Sequence, residues 1–149
     1  MKRFDFNLET VLQYRARKEE EAVTEQAGAE ARRRQKEGAL ARTRATLEES
    51  LAAGPGYPPK VGVAELLHTS VYHVHLNRLA VRQATEAEEA AQEWALCRER
   101  TLVRHRERQV LEKLKEKRKA EFFHQLGVQE QKENDEISLR LHTARNSGL

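Results

Sequence analysis

The sequence predicts an all-α chain folded as a long antiparallel two-helix coiled-coil hairpin, with unequal arms that can leave a C-terminal helical overhang. Three observations lead there. All three prolines and three of the seven glycines fall in one stretch, GPGYPPKVG, at residues 54–62. The flanking arms hold no proline and are rich in Ala, Leu, Glu, Gln, Lys and Arg. Charged residues make up 34% of the 149 residues and aromatics only 5%, a balance typical of a long helix or coiled coil. Proline removes a backbone donor and clashes with the preceding turn, so a helix stops at 54–62 and a second begins after it. The whole chain, 1–149, is expected as a single coiled-coil domain, with arm one over about 7–53 and arm two over about 63–145.

Arm one opens at Asn7, a candidate N-cap whose short side chain can accept from the first orphan amides. Glu9 then places a carboxylate at the positive end of the helix. Phe4 and Phe6 precede the cap and can fold back as a staple. A heptad-like ladder runs through Leu8, Leu12, Arg15, Ala22, Ala29, Leu40 and Leu47. Glu19, Gln26, Arg33 and Lys36 interrupt it, so the arm is helical by propensity more than by core. Gly28 and Gly38 each weaken it by about 1 kcal/mol relative to alanine.

Arm two resumes helical periodicity at Val63. Leu67, Val71, Val74, Val81, Ala84, Ala87, Ala91, Trp94, Ala95 and Leu102 recur mostly at three, four and seven residues, and Leu111, Leu114, Phe122 and Leu126 extend the stripe. Gly127 is its weak point. The second arm exceeds the first by roughly 55 Å if both are continuous. A short turn makes the arms antiparallel, so the excess becomes an overhang unless the second helix kinks.

Little in the chain suggests catalysis. Net charge is +3, from 27 basic and 24 acidic residues, too small an excess to imply nucleic acid by itself. Cys97 is alone and cannot form an internal disulfide, which suits a reducing compartment. Arg98 and Arg100 beside it are the only hint of an activated thiol. His68, His73 and His75 lack a metal-ligand spacing. The start, MKRFDFNLET, has no apolar core of a secretory signal, and no stretch reaches the roughly 18–20 apolar residues that span a bilayer. No phosphate-binding glycine loop or nucleophile elbow is present. The expectation is a non-enzymatic cytoplasmic interaction protein with no cofactor, no metal and no membrane insertion. Residues 98–119 carry ten Lys/Arg against four Glu. Interleaved acids and missing aromatics favour a solvated face or an acidic protein partner over nucleic acid.

The two ends carry a family pattern. In FDFNLETVLQYRARKEEEA, the residues Phe4, Phe6, Leu8, Val11, Leu12 and Arg15 resemble the opening of the flagellar export protein FliJ family. In LEKLKEKRKAEFFHQLGVQEQKENDEISLR, the residues Leu111, Leu114, Lys117, Glu130, Gln131, Lys132, Asp135 and Glu136 are similar to its second signature. Trp94 and the basic stretch after it also fall where the family often has them. The resemblance implies an antiparallel coiled coil like the central stalk of rotary ATPases, in the flagellar type III export apparatus. It implies three partners: the hexameric export ATPase, the cytoplasmic linker of the membrane export gate, and export chaperones. Its location would be cytoplasmic, peripheral to the inner membrane at the flagellar base. Carried over by position, ATPase contacts fall on Leu8, Leu12, Arg15, Lys117, Gln131, Asp135 and Glu136. Gate contacts fall on Tyr72, Leu76, Leu79 and Gln83. The competing readings are the equivalent stalk of a virulence-type injectisome, a generic homodimeric coiled-coil scaffold, and a basic nucleic-acid-associated helix.

Overall fold

A computed structural model describes residues 3–54 and 61–146. The chain forms two helices, α1 (Glu9–Ala52) and α2 (Val63–Asn146), with no strand among the described residues. They pair as an antiparallel hairpin. The Pro/Gly turn expected over 54–62 lies outside the described residues except at its edges, Gly54, Val61 and Gly62. Those edges explain where the helices stop and start. The Ala53 amide still donates to Glu49 O at 3.0 Å, and the Gly54 amide tightens to Leu51 O at 3.3 Å. On the far side the Gly62 carbonyl accepts from both Glu65 and Leu66, each at 3.1 Å. Glycine is tolerated at a cap, and Glu65 supplies the first-turn acid that the helix dipole favours.

Two compact units divide the pair, one from Met1–Lys18 with His105–Leu149 and one from Glu19–Arg104. Both helices pass through both units. The seam is made of small residues. Ala22, Ala29, Ala80, Ala87, Ala90 and Cys97 are buried within the second unit, with Leu76 and Thr43, and no large side chain is fully buried. Alanine lets two helix backbones approach closely but removes little apolar surface from water. Polar links across the pair are therefore numerous: Arg32 to Glu93 at 2.7 Å, Lys36 to Glu86 at 2.8 Å, Thr101 Oγ1 to the Ala22 carbonyl at 3.2 Å. Ser50 Oγ and His73 Nε2 lie 2.7 Å apart. As residue numbers rise along α1 they fall along α2, which fixes the antiparallel register of this unit.

Two expectations change. The first is the start of α1. The Leu8 carbonyl accepts from Leu12 at 2.9 Å and so takes the cap position, while Glu9 donates to Phe6 O at 2.9 Å. Asn7 precedes the helix. The second is the apolar stripe of α2. Leu67, Val71, Val74, Val81 and Leu102 are exposed. Ala84, Ala87, Ala91, Trp94, Leu111, Leu114, Phe122 and Leu126 of the stripe are buried or half-buried as expected, whereas in the first turns Leu66, His73, Leu76 and Ala80 are covered in place of Leu67, Val71 and Val74. The first turns of α2 carry two apolar rows, and α1 covers one of them. It covers the row that leads into alanines, where the helices can come close. The β-branched row is left on the other side. On α1 the ladder fits better: Leu12, Ala22 and Ala29 are buried and Leu8, Leu40 and Leu47 half-buried.

Candidate functional site

The unit that holds Met1–Lys18 and His105–Leu149 is built from the chain's N-terminal segment upward. Phe6 is buried. Its ring lies beneath two cations of α2, with Lys115 Nζ 6.0 Å and the Arg118 guanidinium 5.9 Å from the ring centre. Cations over an aromatic face are attracted by the ring quadrupole. Phe4 packs on Phe122 with ring centres 5.7 Å apart, and Phe122 meets Phe123 edge-on at 5.5 Å. The segment before α1 thus packs on α2 through both rings. Lys115 also pairs with Glu9 at 2.6 Å, and Arg15 pairs with Glu107 at 2.6 Å. An open cleft of about 560 Å³ lies beside Phe4 and Phe6, lined by Arg3, Asp5, Glu9 and Lys115.

Beyond this clamp α2 continues without a partner helix. Phe122 and Leu126 are the last half-buried residues, and every residue from 127 to 146 is exposed. Ile137, Leu139 and Leu141 lie in that stretch. Charge on this overhang is mixed, and Glu136 makes only a long contact to Arg140, 3.9 Å.

The expected ATPase-contact residues all fall in this unit, in two groups. Leu8, Leu12 and Arg15 stand where α1 meets α2: Leu12 is buried, Leu8 is half-buried, and Arg15 is engaged by Glu107. Lys117 is exposed on α2, and Gln131, Asp135 and Glu136 are exposed on the overhang. Sequence reasoning did not single out Glu107, Lys115 or Arg118. The signal was the pair of aromatic clusters, Phe4/Phe6 and Phe122/Phe123, which an antiparallel hairpin brings together.

The expected gate-contact residues belong to the Glu19–Arg104 unit. Tyr72 is exposed, Leu76 is buried, and Leu79 and Gln83 are half-buried. The Gln83 Oε1 is buried and has no hydrogen-bond partner among the described residues. The row faces the edge of the seam, with Tyr72 its outermost member. Further along, Trp94 is flanked by two guanidinium groups, Arg33 at 4.5 Å and Arg98 at 5.6 Å from the ring centre. Cys97 is buried beside a shallow groove lined by Thr24, Gly28, Arg32 and Arg100. Glu86 lies below the ordinary glutamate range, because the Lys36 ammonium donates to it and attracts its charge, with Arg82 adding a smaller pull.

Among the described residues no group of three or more His, Cys, Asp or Glu side chains is placed to hold a metal ion. No helix among the described residues is long and apolar enough to cross a membrane. The surfaces available are helix faces and one bare helix end, which suit contact with other proteins.

The model of the family described as flagellar FliJ protein matches residues 4–147. The match takes in both terminal patterns and everything between them. No curated protein and no solved structure matches the chain.

Proposed function

The chain belongs to the flagellar FliJ family, a non-catalytic component of flagellar export, and from that premise we propose that it is the stalk of the export ATPase. In this reading the end carrying the clamp and the overhang enters the hexameric ring and promotes its assembly and activity. A surface on the other unit contacts the cytoplasmic linker of the membrane export gate, through Tyr72 and its neighbours Leu76, Leu79 and Gln83. Export chaperones are further partners. The protein works in the cytoplasm at the flagellar base and performs no reaction of its own.

The family match over residues 4–147 carries this reading. The overhang supports it physically. Residues 127–146 present side chains on every face, as an object contacted on all sides by loops of a ring must. Gln131, Asp135 and Glu136 project from it with mixed polarity, and charge pairs at such an interface set register more than affinity. Leu8 and Leu12 contribute indirectly, because the seam they help form holds the base of the overhang in place. Arg15 does the same through Glu107.

ATP hydrolysis by the cognate export ATPase, with and without this chain, tests the proposal. A Gln131→Ala/Asp135→Ala variant runs beside it, because those residues support no packing in the hairpin. The expected result is stimulation by the native chain and much less by the variant at equal helicity. No stimulation, together with no co-sedimentation of ring and chain, would overturn it.

A further inference from the structure

The segment before α1 lies on α2 as a strap held by its rings. Phe4 rests on Phe122, and Phe6 lies under Lys115 and Arg118. Lys115, Arg118 and Phe122 follow one another at three and four residues, so they share one face of α2. Among the described residues no hydrogen bond or ion pair ties Arg3, Phe4, Asp5 or Phe6 to that face. The Phe6 carbonyl accepts from the Glu9 amide of its own segment instead. Both cations stand near the outer limit of such ring contacts, about 6 Å. The open cleft of about 560 Å³ runs beside both rings. A segment with no hydrogen-bond ladder and open space along it can lift while both helices stay formed.

The groups that the strap leaves uncovered identify what can replace it. Phe123 meets Phe122 edge-on at 5.5 Å yet is 52% exposed. Arg118 is exposed and, among the described residues, forms no ion pair. The strap of a second copy would make the same contacts as the tethered one and no others. The tethered one acts at an effective concentration on the order of millimolar, so an identical free segment does not displace it. A segment that adds a ring over Phe123 and a carboxylate at Arg118 gains two contacts that the strap lacks.

We infer that this face of α2 docks an acidic, aromatic linear segment of a partner protein, and that Phe4 and Phe6 close the site until such a segment displaces them. The strap is a built-in competitor: it shields Phe122 while the site is empty and sets a threshold that weakly matched segments do not pass. The inference does not rest on the stalk reading, and its test needs only this chain and a peptide.

The probe is a labelled synthetic peptide with a Phe-Asp-Phe core, one further Phe and flanking Glu residues; its twin carries Ser for every Phe. Fluorescence anisotropy should show the Phe4→Ser/Phe6→Ser chain binding the peptide at least about tenfold more tightly than the native chain, because the tethered competitor is gone. The twin should bind neither. Adding Arg118→Glu and Phe123→Ser should weaken the peptide by about tenfold or more, with circular dichroism unchanged because both side chains are exposed. In the native chain, a fluorine label on the Phe6 ring should move to its solvent-exposed shift as the peptide approaches about millimolar concentration. That signal reads displacement in the intact fold and decides alone if the serine variant loses helicity. No binding by a helical serine variant, equal binding by native and variant chains, or an unmoved fluorine signal would overturn the inference. So would binding indifferent to Arg118→Glu and Phe123→Ser. A native dimer that the serine variant dissociates would also overturn it, since a second copy would then be the occupant.

Discussion

Arg15 and Glu107 come from opposite helices, 92 residues apart in sequence, and meet at 2.6 Å with each side chain 34% exposed. The pair fixes the register of the helices in the unit that carries the overhang, together with Glu9 and Lys115 one or two turns away. Partial exposure keeps its energetic contribution modest, about 0.5–1 kcal/mol. A double-mutant cycle of Arg15→Ala and Glu107→Ala, read by thermal or urea unfolding, should return a coupling of that size. Its loss in high salt should be partial. Zero coupling would mean that the aromatic clamp alone sets the register.

Ala29 is the most buried residue of the seam, at 1% exposure. Enlarging it forces the backbones apart at a fully covered position, and such overpacking costs about 1–3 kcal/mol. Ala29→Leu should therefore lower the unfolding midpoint, although leucine is as good a helix former and would strengthen a coiled coil built on larger side chains. A stabilising effect would show that the seam has room to spare.

Lys36 holds the Glu86 carboxylate in its charged form at 2.8 Å, which lowers the carboxylate's pKa below its ordinary value. A carboxylate with a lowered folded-state pKa contributes stability above the unfolded glutamate value, and that contribution fades as pH falls through the folded value. Lys36→Met should move the Glu86 titration upward, measured by NMR of the side-chain carboxyl. The stability difference between native and Lys36→Met chains should shrink as the solution is acidified below the ordinary glutamate range. An unmoved titration would show that the pair does not persist in solution.

Gly127 stands at the root of the overhang, where a methyl group would meet nothing within 4 Å. Gly127→Ala should stabilise the helix there by about 1 kcal/mol. Hydrogen exchange of amides near residue 127 should slow by roughly fivefold, the factor that such a free energy implies, while amides of the Ala-lined seam stay unchanged. No slowing would mean that another element already holds this turn.

Much of the fold is legible in the sequence because its punctuation is strong. The prolines of 54–62 have no counterpart elsewhere, and both helices stop beside them. Ala22 and Ala29 are readable as seam residues because α1 has few other apolar residues to offer. On α2 the spacing alone misleads. Leu67, Val71, Val74 and Val81 form a better hydrophobic row than Leu76, Ala80 and Ala87, yet the weaker row faces α1. Hydrophobicity ranks the rows by area, whereas a close helix pair selects for small size. The expected contact residues divide for a similar reason. Gln131, Asp135 and Glu136 are exposed because α1 ends its pairing before them. Leu12 and Leu76 are buried because a leucine at heptad spacing serves the hairpin first. The Arg15–Glu107 and Glu9–Lys115 pairs depend on register, which one-dimensional spacing does not determine.

The ring-insertion proposal is tested most directly by proximity. A photo-reactive amino acid placed at Gln131 should cross-link to the export ATPase when ring and chain are assembled with nucleotide, and one placed at Tyr72 should not. Cross-linking at Tyr72 with none at Gln131 would contradict the proposal and would put the Glu19–Arg104 unit at the ring.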